Sequence, residues 1–329
     1  MINVSTLQVN ISDTFGNRQV ELVAMISIFT VAFVIGTFLS LILTVTIAFR
    51  PRLHTGSGIL IAHHQFLHVL QTGISNPLYM FTGWIVWLGL SVSGMNCFVM
   101  HFFCKLFTFT EMWASLMLAV NRFVALIFPH HYNAISSNKA ITVLMLIPWL
   151  IGLALTVPGL YGIGTLFGNR QVDCGYITVT SHAVATLVIV MGVYLPLAIQ
   201  GLLYAVVLIV HYRQTKIHEV STVQKKRFLL FRLLFGSYLW YVVCYAPQPI
   251  ALYGFPQFWF EDKLRAGWFQ LLQEVGYAGS PVFLLLMNKD IMHDTKEGCS
   301  RLCHARSNSS VMPSKMMVSS NMALSRRKS

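Results

Sequence analysis

Charge is what this sequence has least of. Asp, Glu, Lys and Arg make up 10% of its 329 residues, with only 11 acidic side chains, while hydrophobic residues reach 55%. Soluble domains carry about 25% charged residues, and so few charges cannot cover a folded surface in water. Six cysteines are too few for a disulfide scaffold. The apolar content excludes disorder and collagen, and no repeat or low-complexity tract precedes the tail. Gly-x-Ser-x-Gly, His-Glu-x-x-His and a phosphate-binding glycine loop are all missing, so no enzyme and no cofactor are expected. There is no basic domain outside the apolar runs, which argues against nucleic acid as a partner. An integral membrane protein remains.

Its layout follows from where charge is absent. Residues 22–49, 53–104, 140–169, 174–212 and 233–260 contain no Asp, Glu, Lys or Arg. A crossing helix needs about 20 mostly apolar residues. The longest of these stretches is divided by Asn76-Pro77 and by the Gly-, Ser- and Trp-rich segment 82–94. Seven spans result, at about 22–49, 58–80, 95–127, 140–160, 182–211, 228–253 and 267–287. The expected fold is an all-α seven-transmembrane bundle over 22–287, with an extracellular tail 1–21 and a disordered cytoplasmic tail 304–329. A β-barrel would show short alternating segments instead.

Placing the N-terminus outside puts 18 of the 23 Lys and Arg on the cytoplasmic side, including Arg50, Arg122, Arg213 and the tail from Lys296 to Lys328. This bias orients the chain N-out and C-in, and it attracts anionic lipid to the inner face. The sequons at Asn3 and Asn10 then lie outside, where glycosylation is expected, and Asn308 stays bare inside. Cys97 and Cys174 both fall on the oxidising side and are expected to pair. Cys104 and Cys244 lie within spans, as small packing residues. Cys299 and Cys303 follow the last span inside and are palmitoylation candidates.

Polar groups within the membrane are costly and functional by default. In the third span Cys104, Thr108, Glu111, Ser115 and Arg122 recur at helical spacing and form one face. The second span brings His63, His64, Gln65, His68 and Gln71. Gln65, His68 and His64 are the expected partners of Glu111, as an interior ion or proton site; three His and one Glu without geometry do not define a metal site. The sixth and seventh spans add Tyr245, Gln248, Gln270, Gln273 and Glu274 toward the outside. Together with Lys105 these groups outline a ligand cavity. Interhelical hydrogen bonding alone is the competing reading.

The motifs then resemble the rhodopsin-like (class A) G-protein-coupled receptors over about 22–303. Asn121-Arg122-Phe123 resembles that family's Asp/Glu-Arg-Tyr, with Cys97 lying 25 residues before Arg122 and Pro129 seven after it. Trp149 and Pro158, then Pro196 and Tyr204, match the fourth- and fifth-span pairs. Cys244-Tyr245-Ala246-Pro247 is similar to Cys-Trp-x-Pro, and Ser280-Pro281-Val282-Phe283-Leu284 to a decayed Asn-Pro-x-x-Tyr. Asn288-Lys289-Asp290-Ile291 resembles the start of a short amphipathic eighth helix, 288–303. The texture of Asn-Arg-Phe and Pro-His-His-Tyr is similar to divergent invertebrate chemosensory and peptide receptors.

The resemblance implies a plasma-membrane receptor that passes an extracellular signal to a heterotrimeric G protein. It implies kinase and arrestin contacts on the Ser-rich tail, and activation roles for Arg122, Tyr204, Pro247 and Pro281. The departures matter as well. The family's second-span Asp is matched to Gln65, while Glu111 stands at its small polar partner in the third span. Asn121 and Arg227 replace the acids that restrain Arg122, so raised basal activity is expected. Cys104 stands where amine receptors have Asp, and residues 266–287 hold no retinal-binding Lys. Lys105, Gln248, Gln270 and Glu274 point to a polar or zwitterionic small molecule or a peptide. Glu111 can be protonated, pair with a cationic His, or hold the family's sodium ion with Gln65 and Ser280; the His pair would couple signalling to pH, the ion to sodium. A transporter or channel using the His–Glu interior, and a non-signalling orphan receptor, are the alternatives; neither repeats nor paired broken helices support transport.

Overall fold

The computed structural model describes residues 19–54, 56–78, 80, 97–167, 177–217, 235–248, 250 and 263–287. Residues 1–18 of the expected N-terminal tail, Cys174, Arg227, the eighth helix, Cys299, Cys303 and the C-terminal tail lie outside the described residues, while residues 19–21 of that tail already belong to the first helix.

Helix α1 spans Gln19–Phe49. It stops where Pro51 forces Arg50 into an extended conformation, with φ −108° and ψ 100°. Helix α2 covers Gly56–Leu70 and passes into a π-helical turn at Gln71–Ser75 before residues 76–78 resume the helix. Asn76-Pro77 therefore does not end the second span: the proline sits just after a turn whose hydrogen-bond ladder is already displaced. Helix α3 runs unbroken over Cys97–Ile127. Helix α4, Asn138–Leu160, is capped by the Ser137 hydroxyl, which accepts from the backbone N–H of Ala140, and it contains Pro148 and Pro158. Helix α5 comprises His182–Ile189, a second π turn at Val190–Tyr194, and Leu195–Ile217. Helix α6 covers 235–245, and α7 covers Lys263–Met287 with Pro281 inside it.

Between α4 and α5, Thr165–Phe167 (β1) pairs antiparallel with Ile177–Val179 (β2), with Leu166 opposite Thr178. Gly164 enters this hairpin at φ +85°, a conformation that favours glycine.

Four of these helices are long and apolar enough to cross a membrane by themselves: Val23–Phe49, Val99–Ile127, Asn138–Leu160 and His182–Arg213. Val31, Val34, Phe38, Leu150 and Leu202 are exposed on the bundle exterior. Such a surface is a liability in water and suits lipid. Helix α3 packs against α2, α4 and α5, and α1 packs against α2 and α7. Two close approaches tie α7 to its neighbours. A Cβ on Gly276 would lie 2.7 Å from the Cβ of Cys244, and one on Gly36 would lie 3.2 Å from the Cα of Ala278. Leu43, Ile47, Leu60, Leu118, Tyr204 and Leu284 fill the inner half of the core.

Candidate functional site

The polar face of α3 looks into two cavities. The larger, of about 150 Å³, is lined by Gln71, Asn76, Met80, His101, Cys104, Lys105, Thr108, Tyr245, Gln248, Gln270, Gln273 and Glu274. Lys105, Tyr245, Gln248, Gln270 and Glu274, the five expected ligand residues, are thus brought together. The chain also places here residues that sequence reasoning assigned elsewhere. Asn76 Nδ2 donates to Glu274 Oε1 at 2.6 Å, and Gln71 Nε2 donates to Asn76 Oδ1 at 2.8 Å. Gln71 Nε2 also reaches Thr108 Oγ1 at 3.3 Å. Cys104 is more than a packing residue, because the Ser75 hydroxyl donates to its sulfur at 2.9 Å. Lys105 would be the long side chain able to reach Glu274, yet among the described residues no ion pair joins them; Asn76 takes that role.

The smaller cavity, of about 40 Å³, lies toward the inner side. His64, Glu111, Ser115, Gln200, Tyr204, Tyr241 and Ser280 are among its walls. Three tyrosines pack together between the two spaces. Tyr241 stacks on Tyr245 with centroids 5.0 Å apart, and fully buried Tyr277 meets both rings edge-on at 6.0 and 6.4 Å. Tyr245 lines the outer cavity and Tyr241 the inner one.

Below this layer, His68 Nε2 stands 3.4 Å from Glu111 Oε1, with both side chains buried. The His64 ring lies edge-on to His68 at 4.6 Å, and Tyr277 lies edge-on to it at 5.6 Å. Gln65 is buried too, but among the described residues neither its Oε1 nor its Nε2 finds a hydrogen-bond partner. Of the residues expected around Glu111, His68 is the one in direct contact. His63 faces the other way and accepts a 3.0 Å hydrogen bond from the Trp149 indole of α4.

At the inner end of α3, Arg122 faces Tyr132 and Tyr204. Asn121 does not turn toward it. The Asn121 Oδ1 accepts from the Ser57 hydroxyl at 2.9 Å, and Ser57 lies 3.0 Å from the Tyr132 hydroxyl. Tyr204 is buried, edge-on to Tyr238 at 5.3 Å, and within reach of Gln200, which also bonds Ser115. Pro247 lies in the short helical segment 247–248 that follows α6 after a turn at Ala246, and Pro281 lies inside α7. Cys97 begins α3, and Cys104 and Cys244 are free thiols.

A bundle whose polar interior opens through α2, α3, α6 and α7 around one central helix defines a helical membrane receptor. Residues 40–255 match the 7 transmembrane receptor (rhodopsin family), and the chain belongs to that family. It is a multi-pass plasma-membrane protein of seven transmembrane helices. Among curated proteins it is similar to olfactory receptor 4K15 of Homo sapiens, 35% identical over 130 residues, which is 40% of this chain and 39% of the relative. It is also similar to olfactory receptor 4E2 of Mus musculus, 28% identical over 124 residues, 38% of this chain and 40% of the relative. Olfactory receptor 6C6 of Homo sapiens is 31% identical over 121 residues, 37% of this chain and 38% of the relative. The chain thus spans about two fifths of the length of these relatives.

Proposed function

We propose that the chain is a chemosensory G-protein-coupled receptor for a small polar or zwitterionic molecule, held in the outer cavity. The observation that carries this reading is the opposition of Lys105 on α3 and Glu274 on α7 across a space lined by Asn76, Gln248 and Gln270. A cation and a carboxylate on separate helices suit a ligand with an acid at one end and an amine at the other. A cavity of about 150 Å³ suits a small molecule better than a peptide. The basic-residue bias supports an outside N-terminus and an inner face, centred on Arg122, that couples to a heterotrimeric G protein. Ligand binding then favours a bundle arrangement open to that partner. Glycans at Asn3 and Asn10, acyl chains at Cys299 and Cys303 on an eighth helix, and tail contacts with kinase and arrestin belong to the same reading.

The test is a G-protein activation assay in cells, with a panel of amino-acid-like zwitterions beside neutral apolar odorants. Zwitterions should activate the wild type, and Glu274→Gln and Lys105→Met should each raise the half-maximal concentration at least about tenfold while the receptor stays on the surface. Activation confined to apolar compounds and unchanged by both substitutions would overturn the reading.

A further inference from the structure

The family resemblance implies a sodium ion near Glu111, and the side chains there do not suit one. Hard cations take oxygen ligands. The groups that converge here are two imidazoles and one carboxylate: His64, His68 and Glu111 each offer a ligand atom, all within 4.8 Å of one another. Imidazole nitrogen with a single carboxylate is a donor set for zinc and its neighbours.

We propose that His64 and His68 of α2 and Glu111 of α3 form a transition-metal site, suited to Zn²⁺, in the membrane core below the tyrosine layer. The two histidines are one helical turn apart, so both rings leave the same face of α2. Ligand atoms 2.0–2.2 Å from a tetrahedral zinc ion stand about 3.4 Å from each other. The His68 Nε2 to Glu111 Oε1 separation is already 3.4 Å. The ligand atoms lie within 4.8 Å of one another, so bringing His64 to the same spacing asks for at most about 1.4 Å of side-chain movement.

A second observation points to a ligand independently. Both nitrogens of His68 and both oxygens of Glu111 are buried without a well-formed hydrogen bond, at 0% and 1% residue exposure. The Tyr277 hydroxyl approaches Glu111 from α7. Buried polar groups left this way are destabilising by about 1–3 kcal/mol each, and a metal ion would engage one ring nitrogen of His68 together with the Glu111 carboxylate. The adjoining cavity of about 40 Å³ supplies the remaining position. A water needs roughly 10–15 Å³, so a metal-bound water fits, with the Ser115 and Ser280 hydroxyls at hand in the cavity wall to orient it. The Glu111 carboxylate offsets half of the ion's charge. Such an ion would clamp α2 to α3 where both helices face α6 and α7.

The experiment is a zinc titration of the purified full-length receptor in lipid nanodiscs, against a fluorescent chelator and at physiological sodium. It needs neither an agonist nor a G protein, so its outcome is separate from that of the receptor reading. One equivalent of zinc should bind per chain. His64→Asn, His68→Asn and Glu111→Gln should each weaken binding by at least about tenfold, and the exposed pair His130→Asn/His131→Asn should leave it unchanged. Cobalt substituted into the wild type should show the intense visible bands of a four-coordinate nitrogen–oxygen site. That spectrum decides the matter even where a variant fails to fold. Equal zinc affinity in wild type and the His64/His68 double variant, displacement of zinc by sodium, or a weak six-coordinate cobalt spectrum would each overturn the proposal.

Discussion

Asn76 and Glu274, 198 residues apart in the chain, meet in a buried 2.6 Å hydrogen bond that joins α2 to α7 in the wall of the outer cavity. One oxygen of Glu274 is taken by this bond, and the other, Oε2, has no partner among the described residues. A carboxylate held at one oxygen and free at the other is placed to receive a cationic group of a ligand. Glu274→Gln keeps an Oε1 that accepts from Asn76 and removes only the charge. Surface expression should stay near wild type while the agonist concentration for half-maximal signalling rises at least about tenfold, the size of a lost charge-assisted hydrogen bond. Flow cytometry and a concentration–response curve measure the two separately. Parallel loss of both would make Glu274 a structural residue.

Asn76→Ala should act the other way round. It strands the buried Glu274 oxygen and the Gln71 amide donor together. An unpaired buried group costs about 1–3 kcal/mol, so the thermal midpoint of the purified receptor should fall. Asn76→Asp should fall further, because it sets two carboxylates side by side.

The α3 stripe was legible because α3 is one continuous helix, Cys97–Ile127. A spacing of three, four or seven residues maps directly onto one face, and Cys104, Thr108, Glu111 and Ser115 all reach the interior cavities. Lys105, expected on the flank of that stripe, reaches the outer cavity as well. Asn76 was hidden by a different local geometry. On an α-helix it would sit about 140° around from Gln71, yet the two side chains share a hydrogen bond. Nothing in Gln71-Thr72-Gly73-Ile74-Ser75 announces a π turn. Its signal, if any, is the Asn-Pro that follows, because a proline lacking its N–H is tolerated where the ladder is already out of step. Pairing across the chain was equally hidden, since His63, His64 and His68 are alike in sequence while only His68 touches Glu111.

Arg122 lacks an acidic neighbour on α3, and Asn121 is engaged with Ser57. The Asn121 amide nitrogen is buried without a partner among the described residues. Asn121→Asp replaces that nitrogen with a charged oxygen on the residue next to Arg122 in the chain, while the other oxygen still accepts from Ser57. A partly buried pair is worth about 1 kcal/mol, so ligand-free signalling should drop by about fivefold. Ser57→Ala in the Asn121→Asp background should not restore it. Basal second-messenger output normalised to surface receptor reads both. A silent wild type, or no change on Asn121→Asp, would remove Asn121 from the control of Arg122.

Cys97 stands at the outer start of α3, and its expected partner is Cys174. Cys97→Ala and Cys174→Ala should each reduce surface expression to a similar degree, and the double variant should be no worse, because either single change breaks the same bond. A bridge of this kind contributes about 2–4 kcal/mol. Losses that add, or a free-thiol label on Cys174 of the native receptor, would separate the two residues.

The π turn itself can be removed. Gly73 lies in it, and a Cβ there would come 2.9 Å from Thr37 Cγ2 on α1, so α1 packs directly on this turn. Thr37 and Thr72 add a 3.0 Å hydroxyl–hydroxyl hydrogen bond at the same place. A π turn holds one residue more than the α-helical ladder around it. Deleting Gly73 should therefore restore an ordinary helix in which Asn76 stands four residues after Gln71, about 40° around from it, so that the outer end of α2 keeps its face. Asn76 would still meet Glu274, and Ser75 would still meet Cys104. His64, His68 and the α3 residues precede or avoid the turn and should keep their positions. The deletion variant should therefore keep its agonist response and bind zinc as the wild type does. A deletion variant that reaches the surface, binds zinc and no longer responds to agonist in a concentration–response curve would mean that the π turn itself, and not the face it presents, shapes the outer cavity.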